Sequence, residues 1–464
     1  MDKTSNISSL KLSPDKKYIV TDKNKPFFWL ADTWWFGATV RMAWPQPFKT
    51  MVLDRKKKGF SVIQLVVGYP PEVDLDSEDT KNSGGYPFDK NGDINKNYFE
   101  EVDKKIKFLI ENDLVPCIVG GWGHHIDSLG INKIKELWQE IIKRYSHYPV
   151  VFCLAGELDL FESKNKAMIS DKFITALVKR VLSPLPKPVK KKIQSPFVSN
   201  TSYYKERDIS KLSPRIKKWN EIAKFITETD TNENLITAHI SQQKTADDLL
   251  GHPNWLSVNS IQSGHSKDVI PFMVNSILHS PKMIINMEPW YEGILSDFDD
   301  YYQRVAFWLC ILSGAKGHSY GAHGIWQMAD GDNFMKHWGK SDWRKSKDFL
   351  GAIQLGKSKE LLKKYEWWKL SPNFKIINPC WTSENPMNPV AAEIKNKQII
   401  IYFPDLSLNK KYELTFPVKR GNYEISWIDP KSMEEIKKDI LKGNRLLPPK
   451  RAGDKDLLCI LIQK

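Results

Sequence analysis

Two apolar runs in this chain end in a glutamate. VVFCLAGE stops at Glu157, and MIINME stops at Glu288 with Pro289, Trp290, Tyr291 and Glu292 directly behind it. A carboxylate at the end of a buried strand is expensive to desolvate and calls for a use. Two of them facing each other across a sugar-sized, aromatic-lined pocket could break a glycosidic bond. One, kept protonated by its surroundings, would give its proton to the leaving oxygen, and the other would attack the anomeric carbon or activate a water. We assign Glu157 the acid/base part and Glu288 the nucleophilic part.

Other strand-like runs also end in polar or aromatic residues. Asp32, Trp34 and Trp35 close the first, Trp122, His124 and His125 follow the third, and His239 ends the fifth. Gln262 and His265 end the sixth, and His318, Tyr320 and His323 belong to the eighth. Asp32 is expected to bind a sugar hydroxyl and Tyr320 to orient Glu288. Trp34, Trp122, Trp290 and Trp326 are candidate stacking platforms, Tyr291 a wall of the pocket, and Glu292 a tether behind the turn.

Such residues meet only if the fold collects strand ends. The runs FFWLADTWW, SVIQLVVGYPP, LVPCIVGGWGHH, VVFCLAGE, LITAHIS, LSVNSIQSGH, MIINME and AKGHSYGAHGIW alternate with segments of helical period. One such segment carries the stripe Phe99, Val102, Ile106, Leu109 and Ile110, and another carries Ile134, Leu137, Trp138, Ile141 and Ile142. Eight strands, mostly apolar on both sides, predict an α/β fold: a (β/α)₈ TIM barrel over residues 1–369, with its chemistry at the C-terminal ends of the strands. Alternation predicts that Val151, Cys153, Ala155 and Glu157 point inward, and likewise Ile284, Asn286 and Glu288. A Pro- and Lys-rich insertion near 183–212 reads as a surface loop or lid. From 370 to 464, short alternating segments such as KKYELTFPV and NYEISWIDP predict an all-β sandwich.

The formal charge of +14 comes from scattered lysines and from runs such as RKKK at 55–58, read as solvated faces, so no nucleic-acid partner is expected. The five cysteines lack CxxC spacing and read as small buried hydrophobes; no metal or other cofactor is expected. No run reaches transmembrane length, so no membrane partner is expected. The N-terminus has no apolar leader core, which gives a cytoplasmic expectation for the chain as written and a secreted or periplasmic one if a signal has been removed. Seventeen tryptophans exceed what a core of this size needs and suit a carbohydrate ligand, an oligosaccharide or polysaccharide.

FFWLADTWW, GFSVIQLVVGYPP, HISQ, IQSGH, MEPWYEG and GAKGHSYGAHGIWQ resemble, in order, the conserved blocks of the apiosidase-like glycoside hydrolases, and SWIDP resembles the WxDP signature of their C-terminal β domain. The resemblance implies a barrel glycosidase that releases a terminal sugar, apiose or a relative, from a plant cell-wall polysaccharide. It also implies the strand-four and strand-seven acids of retaining barrel enzymes. The chain departs from the family in reading AGE at 155–157 where many members read GGD, which lengthens the acid by one methylene. Two other readings compete: a metal-dependent amidohydrolase-like barrel, and a barrel that binds carbohydrate without turning it over.

Overall fold

The computed structural model describes residues 6–160, 209–241, 244–408, 410–416, 422–449, 453 and 455–464. Most of the insertion at 183–212, expected as a surface loop or lid, lies outside the described residues. Eight parallel strands form one sheet: β1 Trp29–Trp34, β2 Val62–Val66, β3 Val115–Val119, β4 Val151–Cys153, β5 Leu235–Thr237, β6 Asn259–Gln262, β7 Ile284–Glu288 and β8 Gly317–Tyr320. Their order, β5-β4-β3-β2-β1-β8-β7-β6, follows the chain around a nearly closed barrel. At the seam the Thr237 hydroxyl donates to the Val258 carbonyl at 2.8 Å, and the Ser257 N–H donates to the Ile236 carbonyl at 2.9 Å. A short antiparallel sheet of Leu10–Leu12, Ile19–Thr21 and Pro26–Phe27 precedes β1.

Every residue of the eight strands is buried, because helices cover the outside and side chains fill the inside. Helix α1 spans Phe48–Lys57, α2 spans Lys96–Glu111 and α3 spans His125–Tyr145. In α2 and α3 the two stripes read from the sequence are the buried faces. Inside, the barrel floor is polar yet satisfied. Gln64 donates to the Thr33 hydroxyl at 3.1 Å and to the Met287 carbonyl at 3.2 Å, and it accepts from the Ser319 hydroxyl at 2.7 Å.

Helix α4, Asp300–Leu312, is buried on all sides from Gln303 onward. It packs against β8 on one side and against strands Val390–Ile394 and Gln398–Phe403 on the other. Those two belong to a six-stranded sheet, completed by Ser371–Pro372, Leu457–Gln463, Tyr423–Ile428 and Glu435–Ile440. A three-stranded sheet of Ile377–Asn378, Tyr412–Leu414 and Arg445–Leu446 accompanies it. Alternation divides the large sheet between two cores. Ile400, Tyr402, Leu458 and Ile460 join the barrel core, while Ile399, Ile401, Leu457, Cys459 and Leu461 join a separate one.

Three expectations are corrected here. Asp32 is fully buried and faces outward, accepting from Arg55 Nε at 2.5 Å and from Trp34 Nε1 at 2.7 Å, so it does not reach the barrel mouth. Arg55 itself is fully buried rather than solvated like Lys56 and Lys57, because α1 turns it onto β1, and Lys58 is half-buried in its pair with Asp54. Trp34 packs edge-on against Phe48 and is a core residue. The pair bolts α1 to the first strand.

Removing one member of a buried ion pair strands the other charge, which costs about 3–5 kcal/mol. Asp32→Ala and Arg55→Ala should each lower unfolding stability by that order in a denaturant titration, with the double variant losing less than the two single losses combined.

Candidate active site

The barrel brings Glu157 and Glu288 to one end and joins them through a single side chain. Gln262 Nε2, at the end of β6, donates to Glu157 Oε1 at 3.0 Å and to Glu288 Oε1 at 2.9 Å. Two such bonds from one nitrogen hold the carboxylate oxygens no more than about 6 Å apart.

Simple alternation along the strands does not produce this arrangement. On β7, Asn286 faces outward, donating to the Ser263 hydroxyl at 2.9 Å and approaching Cys310 Sγ on α4 at 3.8 Å. The expected inward set of Ile284, Asn286 and Glu288 is therefore corrected. The register against β6 slips between Asn286 and Glu288, so Met287 is the extra residue of a bulge and Glu288 comes level with Gln262. A bulge re-aims the side chain that follows it. Strand β4 ends at Cys153, and Glu157 lies beyond it with a left-handed φ of 41°. A non-glycine residue held in this region costs of order 1–3 kcal/mol and marks a position fixed by its surroundings. Glycine is required just before it, because a Cβ on Gly156 would lie 2.2 Å from the Trp122 ring.

The donors around the two acids differ. Glu157 Oε2 accepts from Trp122 Nε1 at 3.1 Å, and burial together with the charge on Glu288 pushes its pKa up to about 7. Burial acts on Glu288 too, yet His239 and His265 outweigh it and hold this carboxyl below its usual range. His239 Nε2 lies 3.3 Å from Glu288 Oε2, and His265 Nε2 lies 3.5 Å from Oε1. The tautomers follow from the other ring nitrogen. His239 Nδ1 accepts the Glu157 backbone N–H and His265 Nδ1 accepts that of Tyr291, both at 3.3 Å, so each Nε2 presents a proton rather than a lone pair to Glu288. The Tyr291 hydroxyl also bonds Glu288 and accepts from Trp35 Nε1 at 3.1 Å. Trp35 packs edge-on against both Trp122 and His239.

Of the residues singled out from the sequence, Glu157, Glu288, Trp122, His239, His265 and Tyr291 meet at this point. Trp326 stands 6.1 Å from Tyr291, ring centre to ring centre. Others are placed elsewhere. Tyr320 donates to Glu292 Oε2 at 2.6 Å and not to Glu288, because it points outward from β8. Trp290 turns behind the site, where its N–H donates to the Ser266 carbonyl at 2.7 Å and its ring stacks on Phe298. His318 is buried against Phe307 of α4. His124 stands at the start of α3 beside Arg215 without capping the helix through its side chain, and His125 Nδ1 accepts the Trp122 backbone N–H at 3.1 Å. His323 braces the loop after β8, with Gln327 at 3.1 Å and the Gly339 carbonyl at 3.1 Å. That loop carries Trp338, whose ring meets His265 edge-on and whose N–H donates to Glu72 at 3.1 Å.

Gln262, Trp35 and His125 stand at strand ends in the sequence without an assigned role, and Trp338 was not expected at the site. Position alone brings Gln262 to the barrel mouth, but nothing in its residue type tells what it does there. Trp35 has Trp34 beside it, and only the direction of the chain after β1 tells the two apart.

The family model for the apiosidase-like catalytic domain matches residues 13–369. The chain belongs to the apiosidase-like family. It is a glycoside hydrolase. Among solved structures it is similar to one described as a glycoside hydrolase, at 18% identity and TM-score 0.72, the match covering 99% of this chain and 98% of that one. It is also similar to a glycoside hydrolase family 5 protein from Bacteroides vulgatus, at 18% identity and TM-score 0.69, covering 99% and 95% of the two chains. None of the curated proteins compared with the chain matches it.

Glu292 supplies a measurable signature next to the site. It is buried, accepts from Tyr320 and from the Gly351 N–H at 3.1 Å, and its pKa is pushed up to about 7, chiefly by burial. Between the ordinary carboxylate range and pH 7, this group keeps in the folded chain a proton that it has released in the unfolded one, so its own contribution to stability falls as pH rises through that window. Glu292→Gln, neutral in both states, removes that contribution, so the variant should gain stability relative to wild type between about pH 5 and pH 8, as read from urea midpoints. A difference between the two proteins that does not change with pH would show that Glu292 is ionised throughout.

Proposed function

We propose that the chain removes a terminal apiose, or a closely related monosaccharide, from a pectic oligosaccharide or polysaccharide of the plant cell wall, with retention at the anomeric carbon. The observation that carries this reading is the Gln262-bridged pair of acids with opposite pKa shifts. The two bridged oxygens are at most about 6 Å apart, nearer the roughly 5–5.5 Å spacing of retaining enzymes than the roughly 6.5–9.5 Å that leaves room for a water in inverting ones, which favours direct attack by one carboxylate.

In the first step Glu288 attacks the anomeric carbon while the bond to the aglycone oxygen breaks, and Glu157 gives that oxygen its proton. The product is a glycosyl ester on Glu288 and a free alcohol. In the second step Glu157, now a carboxylate, takes a proton from water as the water oxygen attacks the same carbon, releasing the sugar and restoring both acids. Trp122, Tyr291 and His265 surround the place where the ring would sit. Trp338, held by Glu72, packs edge-on against His265, and the choice of a single terminal residue rests on the family. The choice of apiose rests on the family, and the longer acid at 157 leaves room for a related sugar.

Glu157→Gln should lower hydrolysis of the natural linkage by about 10²–10⁴-fold, with far less loss on aryl glycosides whose leaving group needs no proton. Glu288→Gln should abolish both. Wild-type kcat/KM should decline as pH rises through about 7, where Glu157 loses its proton, and NMR of the first-formed product should show the anomer of the substrate. Full activity in Glu288→Gln would end the assignment, inversion would exchange direct attack for water activation, and binding without turnover would leave a carbohydrate-binding barrel.

A further inference from the structure

We infer that Gln262 is a positioning residue that fixes the gap between the two acids and sets the protonation range of both. The inference rests on the glycosidase reading above and goes beyond it by naming the residue that couples the pair.

Its side chain is buried, and the register of β6 against the bulged end of β7 sets Gln262 opposite Glu288. A primary amide has two N–H donors on one nitrogen. Here one reaches Glu157 at 3.0 Å and the other Glu288 at 2.9 Å, so the distance between the acids is tied to the geometry of one planar group. The opposite amide orientation would turn a carbonyl oxygen toward both carboxylates, which neither could tolerate when ionised. The observed one leaves Gln262 Oε1 buried without a donor among the described residues. An unsatisfied buried acceptor costs about 1–3 kcal/mol, a cost retained where both N–H groups have a task.

The titratable groups facing this amide are Glu157 after β4, His239 after β5, His265 after β6, and Glu288 and Tyr291 at the end of β7. The histidines and the tyrosine touch Glu288, and Trp122 touches Glu157. Gln262 alone among the described residues donates a side-chain hydrogen bond to both acids. An N–H donor favours the ionised form of its acceptor, so removing this one raises the pKa of each.

The test compares full-length wild type, Gln262→Leu and Gln262→Asn in the pH dependence of kcat/KM on an aryl glycoside, with circular dichroism and thermal melts recorded alongside. Gln262→Leu should lose about 10²–10³-fold in kcat, the scale of one lost preorganised donor, and should shift both the acidic and the alkaline limb to higher pH. Gln262→Asn, one methylene shorter, should keep one contact and shift one limb. Folded variants with unmoved limbs overturn the inference, and so does loss of the fold in both variants, which would make the residue purely structural. The infrared band of protonated carboxyls, assigned by difference against Glu157→Gln, follows the same titration without turnover. If wild type hydrolyses no glycoside, the glycosidase reading fails, while an unchanged infrared midpoint in Gln262→Leu defeats this inference separately.

Discussion

Two carboxyl groups are held by one amide at a separation where both cannot be charged without a Coulomb penalty. The surrounding structure resolves that conflict by unequal supply of donors. Glu288 has Tyr291, two imidazole Nε2 groups and half of the Gln262 amide. Glu157 has Trp122 and the other half. The proton therefore settles on Glu157. Much of the local backbone serves this division: a left-handed residue at 157, glycine under the Trp122 ring and a bulge at Met287.

The donors are themselves oriented from the backbone. Each histidine spends its Nδ1 lone pair on a peptide N–H next to the site, and one of those peptides belongs to Glu157 itself. His239 thus touches one acid through its main chain and the other through its carboxylate. Close contacts of this kind need small neighbours. The Tyr291 ring lies where a Cβ on Gly321 would be 2.0 Å from Cδ1, so the residue directly after β8 must be glycine. Behind this layer, the Glu292–Tyr320 pair and the Asp32–Arg55 pair face helices and not the opening. They hold strand ends in place without contacting the reacting groups.

The barrel was legible in the sequence because eight apolar runs and the helical stripes between them carry the same message at every level. The two acids were legible because strand ends collect chemistry in this fold. Asn286 shows where the pattern stops: alternation ranked it with Glu288, and a one-residue bulge put them on different sides. Asp32 and Arg55 lie in segments whose composition suggests a site and a solvated helix, and only tertiary packing reveals the pair. Gln262 does not titrate, so it offers none of the signals that draw attention to a carboxylate. In DLLCILIQK the apolar run is unbroken because its sheet lies between two cores, although short alternating strands had been expected in this region.

Helix α4 belongs to two bodies at once. Its inner side touches β7 through Cys310 and Asn286, and its outer side is clamped by Arg304, which pairs in two-pronged fashion with Asp456 at 2.9 Å through each nitrogen. Tyr402 donates to the same carboxylate at 2.8 Å. Glu288 is thereby backed, through one strand and one helix, by residues that follow the eighth strand in the chain. A ribosome that has finished the eighth strand has not yet made Tyr402 or Asp456, so this clamp can close on α4 only after the sheet beyond the barrel has been synthesised.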